Sequence, residues 1–103
     1  MSQTENHWAE VANIEIELQR YMIVLGMDWH DTFAMSQLAA ECKNFGPDNA
    51  KAAYATHDQR LITKAKLFGL VSMMLQTMES AALDNRDVHG GEVWKAFAKH
   101  LYT

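Results

Sequence analysis

Five histidines and one cysteine are the side chains of this sequence best suited to bind a metal ion or to act as a catalytic base or nucleophile. The densest group is Asp28-Trp29-His30-Asp31, which sets two carboxylates beside an imidazole. A helical metal site needs ligands one turn apart on an inward face, as two histidines at i and i+4 or as a Glu-x-x-His pair. The chain contains neither pair. Because aspartates here also suit the start of a helix, we expect no metal and no cofactor.

Cys42 is expected to be a buried, unreactive thiol. It falls on the apolar face of a predicted helix and close to its C-terminal end, whereas a reactive cysteine needs a nearby cation or a helix N-terminus. The sequence has no phosphate-binding glycine loop, no Gly-x-Ser-x-Gly motif and no CxxC pair. Glu15 and Glu17 lie two residues apart and point to different sides of a helix, so they form no acid–base pair on it. We therefore predict that the protein is not an enzyme.

The composition predicts a single all-α domain over residues 1–103. One proline and five glycines punctuate the chain, and the stretches between them carry apolar residues at helical spacing. We expect a compact bundle of about four to five helices with a long central helix. The net charge of −4 argues against nucleic acid and membrane partners. Because we see no signal peptide, no membrane-spanning run and one lone cysteine, we expect a cytoplasmic protein.

The first helix, predicted over residues 2–25 with a capping box formed by Ser2 and Glu5, has two apolar faces. One face is the stripe expected of a helix packed on a core: Val11, Ile14, Leu18, Tyr21, Met22 and Leu25. A second stripe lies on nearly the opposite side: Ala9, Ala12, Ile16 and Ile23. Since a core-facing helix needs only the first stripe, this helix is expected to be covered on two sides.

The middle of the chain contains one ordinary helix and one unusual one. Asp28 or Asp31 caps a second helix, which Gly46-Pro47 ends. A capping box at Thr56 and Gln59 favours a short helix over residues 48–55 before a long helix that reaches residue 83, although a single helix over 48–83 stays open. The apolar side of the long helix rotates near Gly69, which predicts either a kink or a helix whose two halves pack on different layers.

Residues 84–91 form the one loop-like stretch of the second half, with paired glycines and few apolar anchors, and we expect it to be the most mobile internal segment. A short last helix follows. Its apolar face contains Val93, Trp94, Phe97 and Leu101. A helix of about three turns is stable only when docked on the rest of the fold.

The two-sided helices carry more apolar surface than one small core hides. We therefore predict a homodimer, and a role in protein association or regulation. The candidate interface consists of Ile16, Ile23, Leu70, Met74 and Met78. Closed two-fold association is the commonest way for a soluble chain to cover such surface.

Two other functions stay open. Residues 32–71 loosely resemble a winged-helix or helix-turn-helix order, with a turn at Gly46-Pro47 and a second helix that ends in Gly69-Leu70-Val71. The resemblance implies a DNA-binding transcriptional regulator, but residues 72–83 are predicted to continue as helix, where that order requires a β wing. The third hypothesis is a small-molecule-binding helical bundle, because seven methionines and several aromatic side chains could line a site.

Overall fold

In a computed structural model the chain folds into helices, and no strand occurs among the residues that the structure describes, 3–85 and 87–102, with side chains described from residue 7 onward. The helices are α1 (Gln3–Val24), α2 (Thr32–Lys43), α3 (Pro47–Ala55), α4 (Gln59–Leu83) and α5 (Glu92–Ala98). The predicted all-α architecture with a long helix is confirmed. The capping box predicted for the first helix lies outside the described residues, because it needs Ser2 and the side chain of Glu5.

The inner stripe of α1 is buried as its periodicity predicts. Five of its six members are buried and the sixth, Tyr21, is half-buried against them. The helix ends at Gly26, whose positive φ of 70° is the left-handed conformation that glycine adopts without strain. The N–H of Gly26 donates to the Ile23 carbonyl at 3.0 Å and that of Met27 to the Met22 carbonyl at 2.9 Å. These two bonds are those of a Schellman motif, so α1 ends where its sequence predicts.

Two helices occupy the stretch that the sequence leaves open between one helix and two. The short helix α3 is present, with Pro47 in its first turn. The residue that caps α4 is Asp58 and not the predicted Thr56, since the Asp58 carboxylate accepts hydrogen bonds from the N–H groups of Arg60 and Leu61. Thr56 instead donates to the Ala53 carbonyl at 2.7 Å and belongs to the end of α3. The capping prediction was wrong because an aspartate two residues later accepts the first N–H groups of α4, whereas the Thr56 hydroxyl accepts the N–H of Asp58 at 3.2 Å.

α4 runs without interruption through Gly69. Ala65 and Phe68 are buried on one side of its first half, and Leu67, just before Gly69, begins a second buried side that continues with Val71 and Met74. The two halves therefore present different sides to the core, which is one of the two arrangements predicted. The helix needs no glycine for close packing, because a Cβ at residue 69 would meet nothing within 4 Å.

The helices pack in a fixed set of pairs around one core. α1 packs against α4 and α5, α2 against α5, and α3 against α4. The core combines side chains of α1, α2, α4 and α5 with Val88 from the loop, and among the described residues it includes none from α3. Asp31, one of the two predicted caps, begins α2 by accepting the N–H of Ala34 at 3.1 Å. Among the described helices, none is both long and apolar enough to cross a membrane.

Candidate interaction surface

The second apolar stripe of α1 faces away from its own core. We call it the outer stripe, and it consists of Ala9, Ala12, Ile16 and Ile23. All four residues are exposed, with 56% of Ile16 and 62% of Ile23 accessible to solvent. The two isoleucines lie seven residues, or about 10 Å, apart along one side of the helix. Helix α1 therefore fills the core with one face and exposes branched apolar side chains on another.

A groove of about 350 Å³ adjoins the N-terminal half of the outer stripe. Trp8, Ala12 and Ile16 form its helical wall, and the Gly90-Gly91 backbone forms part of the opposite wall. Trp8 is itself 45% exposed. The groove and the outer stripe form one continuous apolar surface, because they share Ala12 and Ile16.

Glu15 fixes the loop wall of this groove. Its carboxylate accepts hydrogen bonds from the N–H groups of Gly91 and Val93, each at 3.0 Å, and from that of Trp94 at 3.4 Å. The first N–H groups of a helix have no partner within the helix, and Gly91 has no side chain with which to cap α5. The carboxylate of α1 therefore supplies the cap of α5 from a distant part of the chain, a role that sequence reasoning missed.

The two glycines of the loop are required by close approach. A Cβ at Gly91 would lie 2.8 Å from a carboxylate oxygen of Glu15, and one at Gly90 would overlap the ring of Trp94. The loop also buries Val88 in the core. Residues 84–91 thus have more anchors than their composition indicates, and the predicted mobility of this segment stays a prediction.

His30 joins the turn before α2 to the first turn of α5. Its Nε2 lies 2.9 Å from a carboxylate oxygen of Glu92, and its Nδ1 lies 3.2 Å from one of Asp28. The hydrogen bond with Glu92, and after it the one with Asp28, raises the pKa of this exposed imidazole. The Asp28–Asp31 cluster thus makes a tertiary contact and caps α2. Among the described residues, no group of three or more histidine, cysteine, aspartate or glutamate side chains is arranged to hold a metal ion.

Three of the five candidate interface residues are wholly or partly buried, and the predicted interface stays a prediction. Met74 has no exposed surface, so it cannot meet a partner, and Leu70 and Met78 are half-buried against the same core. This burial has a physical reason, since α1 packs against α4 within the chain. Only Ile16 and Ile23 present the exposed surface that the prediction requires.

The thiol of Cys42 is half-buried, and this burial raises its pKa to about 11, as expected of an unreactive cysteine.

Arg60 donates to the Leu25 carbonyl at 2.9 Å, and Lys64 pairs with Glu41 at 3.1 Å. Residues 72–83 continue α4, so the β wing of a winged helix is replaced by helix. Both of these bases are engaged within the chain.

Comparison with known protein families, curated proteins and solved structures finds no match to this chain.

Proposed function

We propose that this protein is a non-enzymatic association module that forms a homodimer through the outer stripe of α1. The carrying observation is the exposure of Ile16 and Ile23 on a helix whose other face already completes the core. Soluble proteins that expose such a stripe commonly use it for association. A non-enzymatic role is supported by the unreactive thiol of Cys42 and by the engagement of His30 in a tertiary contact. The cytoplasmic location expected from the lone cysteine belongs to this proposal.

The outer stripe is complementary to itself when two copies run antiparallel. Its N-terminal end carries Ala9 and its C-terminal end carries Ile23, so an antiparallel copy sets Ile23 against Ala9 at each end and Ile16 against its own copy at the centre. A parallel copy would place isoleucine against isoleucine and leave the alanines facing each other across a gap. Two-fold symmetry brings the same patch from both copies together, and the groove beside Ala12 gives the second copy's larger side chains additional room.

Charge along the stripe is compatible with this pairing. The nearest base is Arg20, which pairs with Glu17 at 2.7 Å on the surface of its own helix. The pair lets α1 approach a second helix without an uncompensated charge at the contact. A second copy is therefore the occupant that we propose for the outer stripe.

The decisive experiment is sedimentation equilibrium over a concentration series. Wild-type protein is expected to sediment as a dimer, and Ile16→Glu/Ile23→Glu as a folded monomer with unchanged helical circular dichroism. The control is Val24→Glu/Phe33→Glu, which places two carboxylates at exposed apolar residues outside the stripe. A wild-type monomer at high concentration contradicts the proposal, as does a control variant that dissociates equally. Unfolding of the stripe variant would instead assign these isoleucines to the internal core.

The antiparallel arrangement has its own test. In a Cys42→Ser background, Ala9→Cys protein is mixed with Ile23→Cys protein under mild oxidation. Antiparallel copies place these two positions near each other and should give the mixed disulfide. A parallel dimer should instead give only the two symmetric disulfides, since it brings each position next to its own copy.

A further inference from the structure

The helix α3 is held to the fold by very small side chains. Of its residues only Ala53 is buried, and Ala50 beside it is half-buried. The free energy gained by burying apolar surface scales with its area, at about 25 cal/mol per Å². Two alanine methyls therefore contribute little to the docking of α3, and its one large apolar side chain, Tyr54, is 50% exposed. α4 is the main packing partner of α3.

Two apolar grooves flank the contact beneath α3. Their shared floor is the pair Phe45–Phe68, which meet edge to face with ring centroids 5.0 Å apart. One groove, of about 340 Å³, runs along Ala52 and Leu61. The other, of about 390 Å³, runs along Cys42 and Ala50. Each is within the size range of small-molecule sites. The groove along Cys42 is lined mainly by apolar residues, whereas the groove along Ala52 has polar residues at half of its lining positions and an apolar floor.

We propose that the grooves beneath α3 form a binding site for a neutral, flat, apolar small molecule, with α3 as its lid. The ligand class follows from the lining. Phe45 and Phe68 offer ring faces and edges to an aromatic guest. The groove along Ala52 and Leu61 has two charged residues in its lining, Glu41 and Lys64. They form an ion pair at 3.1 Å, so the lining carries no net charge that would attract an ionic ligand. The site shares no residue with the outer stripe of α1, so it is independent of the proposed dimer.

The bonds at both ends of α3 allow the helix to move as one body. The Gly46 N–H donates to the Asn49 side chain at 2.8 Å, and Thr56 donates to the Ala53 carbonyl at 2.7 Å. Both bonds travel with α3, and the Asp58 carboxylate caps α4. The Asp58 N–H also donates to the Thr56 hydroxyl at 3.2 Å, so this bond joins the two helices at the end about which α3 would turn. Lid motions are absorbed by a few residues at element ends, and here Gly46 and His57, which has a φ of 62°, occupy those positions.

The test uses N-phenyl-1-naphthylamine, an uncharged fluorescent aromatic compound, as the probe. Wild-type protein is expected to give a saturable rise in probe fluorescence. Ala52→Phe places a ring in the groove along Ala52 and Leu61. It should weaken probe binding about tenfold or more, which corresponds to about 1.4 kcal/mol. Ala55→Phe is the matched control, because Ala55 is also exposed on α3 but lines neither groove. It should bind the probe as wild type does.

Two further readouts make the result decisive. Bound probe should slow the modification of Cys42 by a neutral thiol reagent, because Cys42 lines the second groove. Absence of saturable binding overturns the proposal, and so does equal binding by Ala52→Phe and wild type. If Ile16→Glu/Ile23→Glu abolishes binding while Ala52→Phe retains it, the probe occupies the outer stripe and the site beneath α3 is refuted.

Discussion

The carboxylate of Glu15 accepts hydrogen bonds from backbone N–H groups 76 to 79 residues further along the chain. In the sequence this glutamate is one of four acids on α1, and its neighbour Glu17 pairs with Arg20 on the surface. Local patterns distinguish neither residue from the other, because the partner of Glu15 is distant in sequence. The tertiary structure alone assigns Glu15 to the start of α5.

Replacing Glu15 should cost more stability than replacing Glu17. Glu15→Ala leaves the first N–H groups of α5 without their acceptor and should lower the free energy of unfolding by about 1–2 kcal/mol, as loss of a cap does. Glu15→Gln should lower it less, since its amide oxygen still accepts. Glu17→Ala should stay within about 0.5 kcal/mol of wild type, because surface ion pairs contribute little. Urea melts of the three variants measure these differences, and equal losses at both glutamates would contradict the capping role.

The hydrogen bonds of His30 should make the stability of the fold depend on pH, with stability lost as the pH rises. Its folded pKa is raised by the hydrogen bonds with Glu92 and Asp28, and an imidazole donates to two carboxylates only when protonated. The contribution is therefore fully present below the unfolded pKa of about 6.5 and is lost as pH rises through the higher folded value. Unfolding free energies measured on both sides of neutrality should show a smaller alkaline loss in His30→Gln than in wild type. His89→Gln is the control, because the ion pair of His89 is with Asp87 of its own loop.

At the scale of elements, sequence reasoning succeeded where periodicity and local turns decide the structure. The inner stripe of α1, its end at Gly26 and the helix break at Gly46-Pro47 all follow from local rules. It failed where two local signals lie close together, as at Thr56 and Asp58, and it could not predict burial where another element decides it, as at Met74. Whether an apolar side of α4 is covered by α1 or by a partner depends on the packing of elements distant in sequence.

The glycines provide a matched comparison between elements. Gly90→Ala and Gly91→Ala place a methyl group against Trp94 and Glu15 and should each lower stability by about 1–3 kcal/mol, as overpacking does. Gly69→Ala adds a methyl group in open space inside a helix and should raise stability by up to about 1 kcal/mol. Thermal or urea unfolding measures the three changes. Destabilisation by Gly69→Ala would show that α4 depends on a bend at that residue.

At the scale of the whole molecule, the two apolar faces of α1 differ in role: the inner stripe packs in the core, and the outer stripe is exposed to solvent. Leu18→Ala removes a side chain that is 1% exposed at the centre of the core and should cost about 3–5 kcal/mol of unfolding free energy. Ile16→Ala, two residues away, should cost the isolated chain less than about 1 kcal/mol, because the side chain is already largely in water. Denaturant melts at a protein concentration too low for association measure both. A large loss from Ile16→Ala under those conditions would place the outer stripe inside the monomer's core.

The pairing of α1 with α4 and α5, elements far from it in sequence, also determines the order in which the fold can form. During synthesis α1 emerges well before the residues that cover its inner stripe, since domains grow from the N-terminus at a finite rate. Until α4 has been made, both apolar faces of α1 are open to solvent at once. The inner stripe of the nascent chain therefore stays uncovered until residues distant in sequence have been made. Because contacts of high sequence separation slow folding, this protein should fold more slowly than bundles in which consecutive helices pack together.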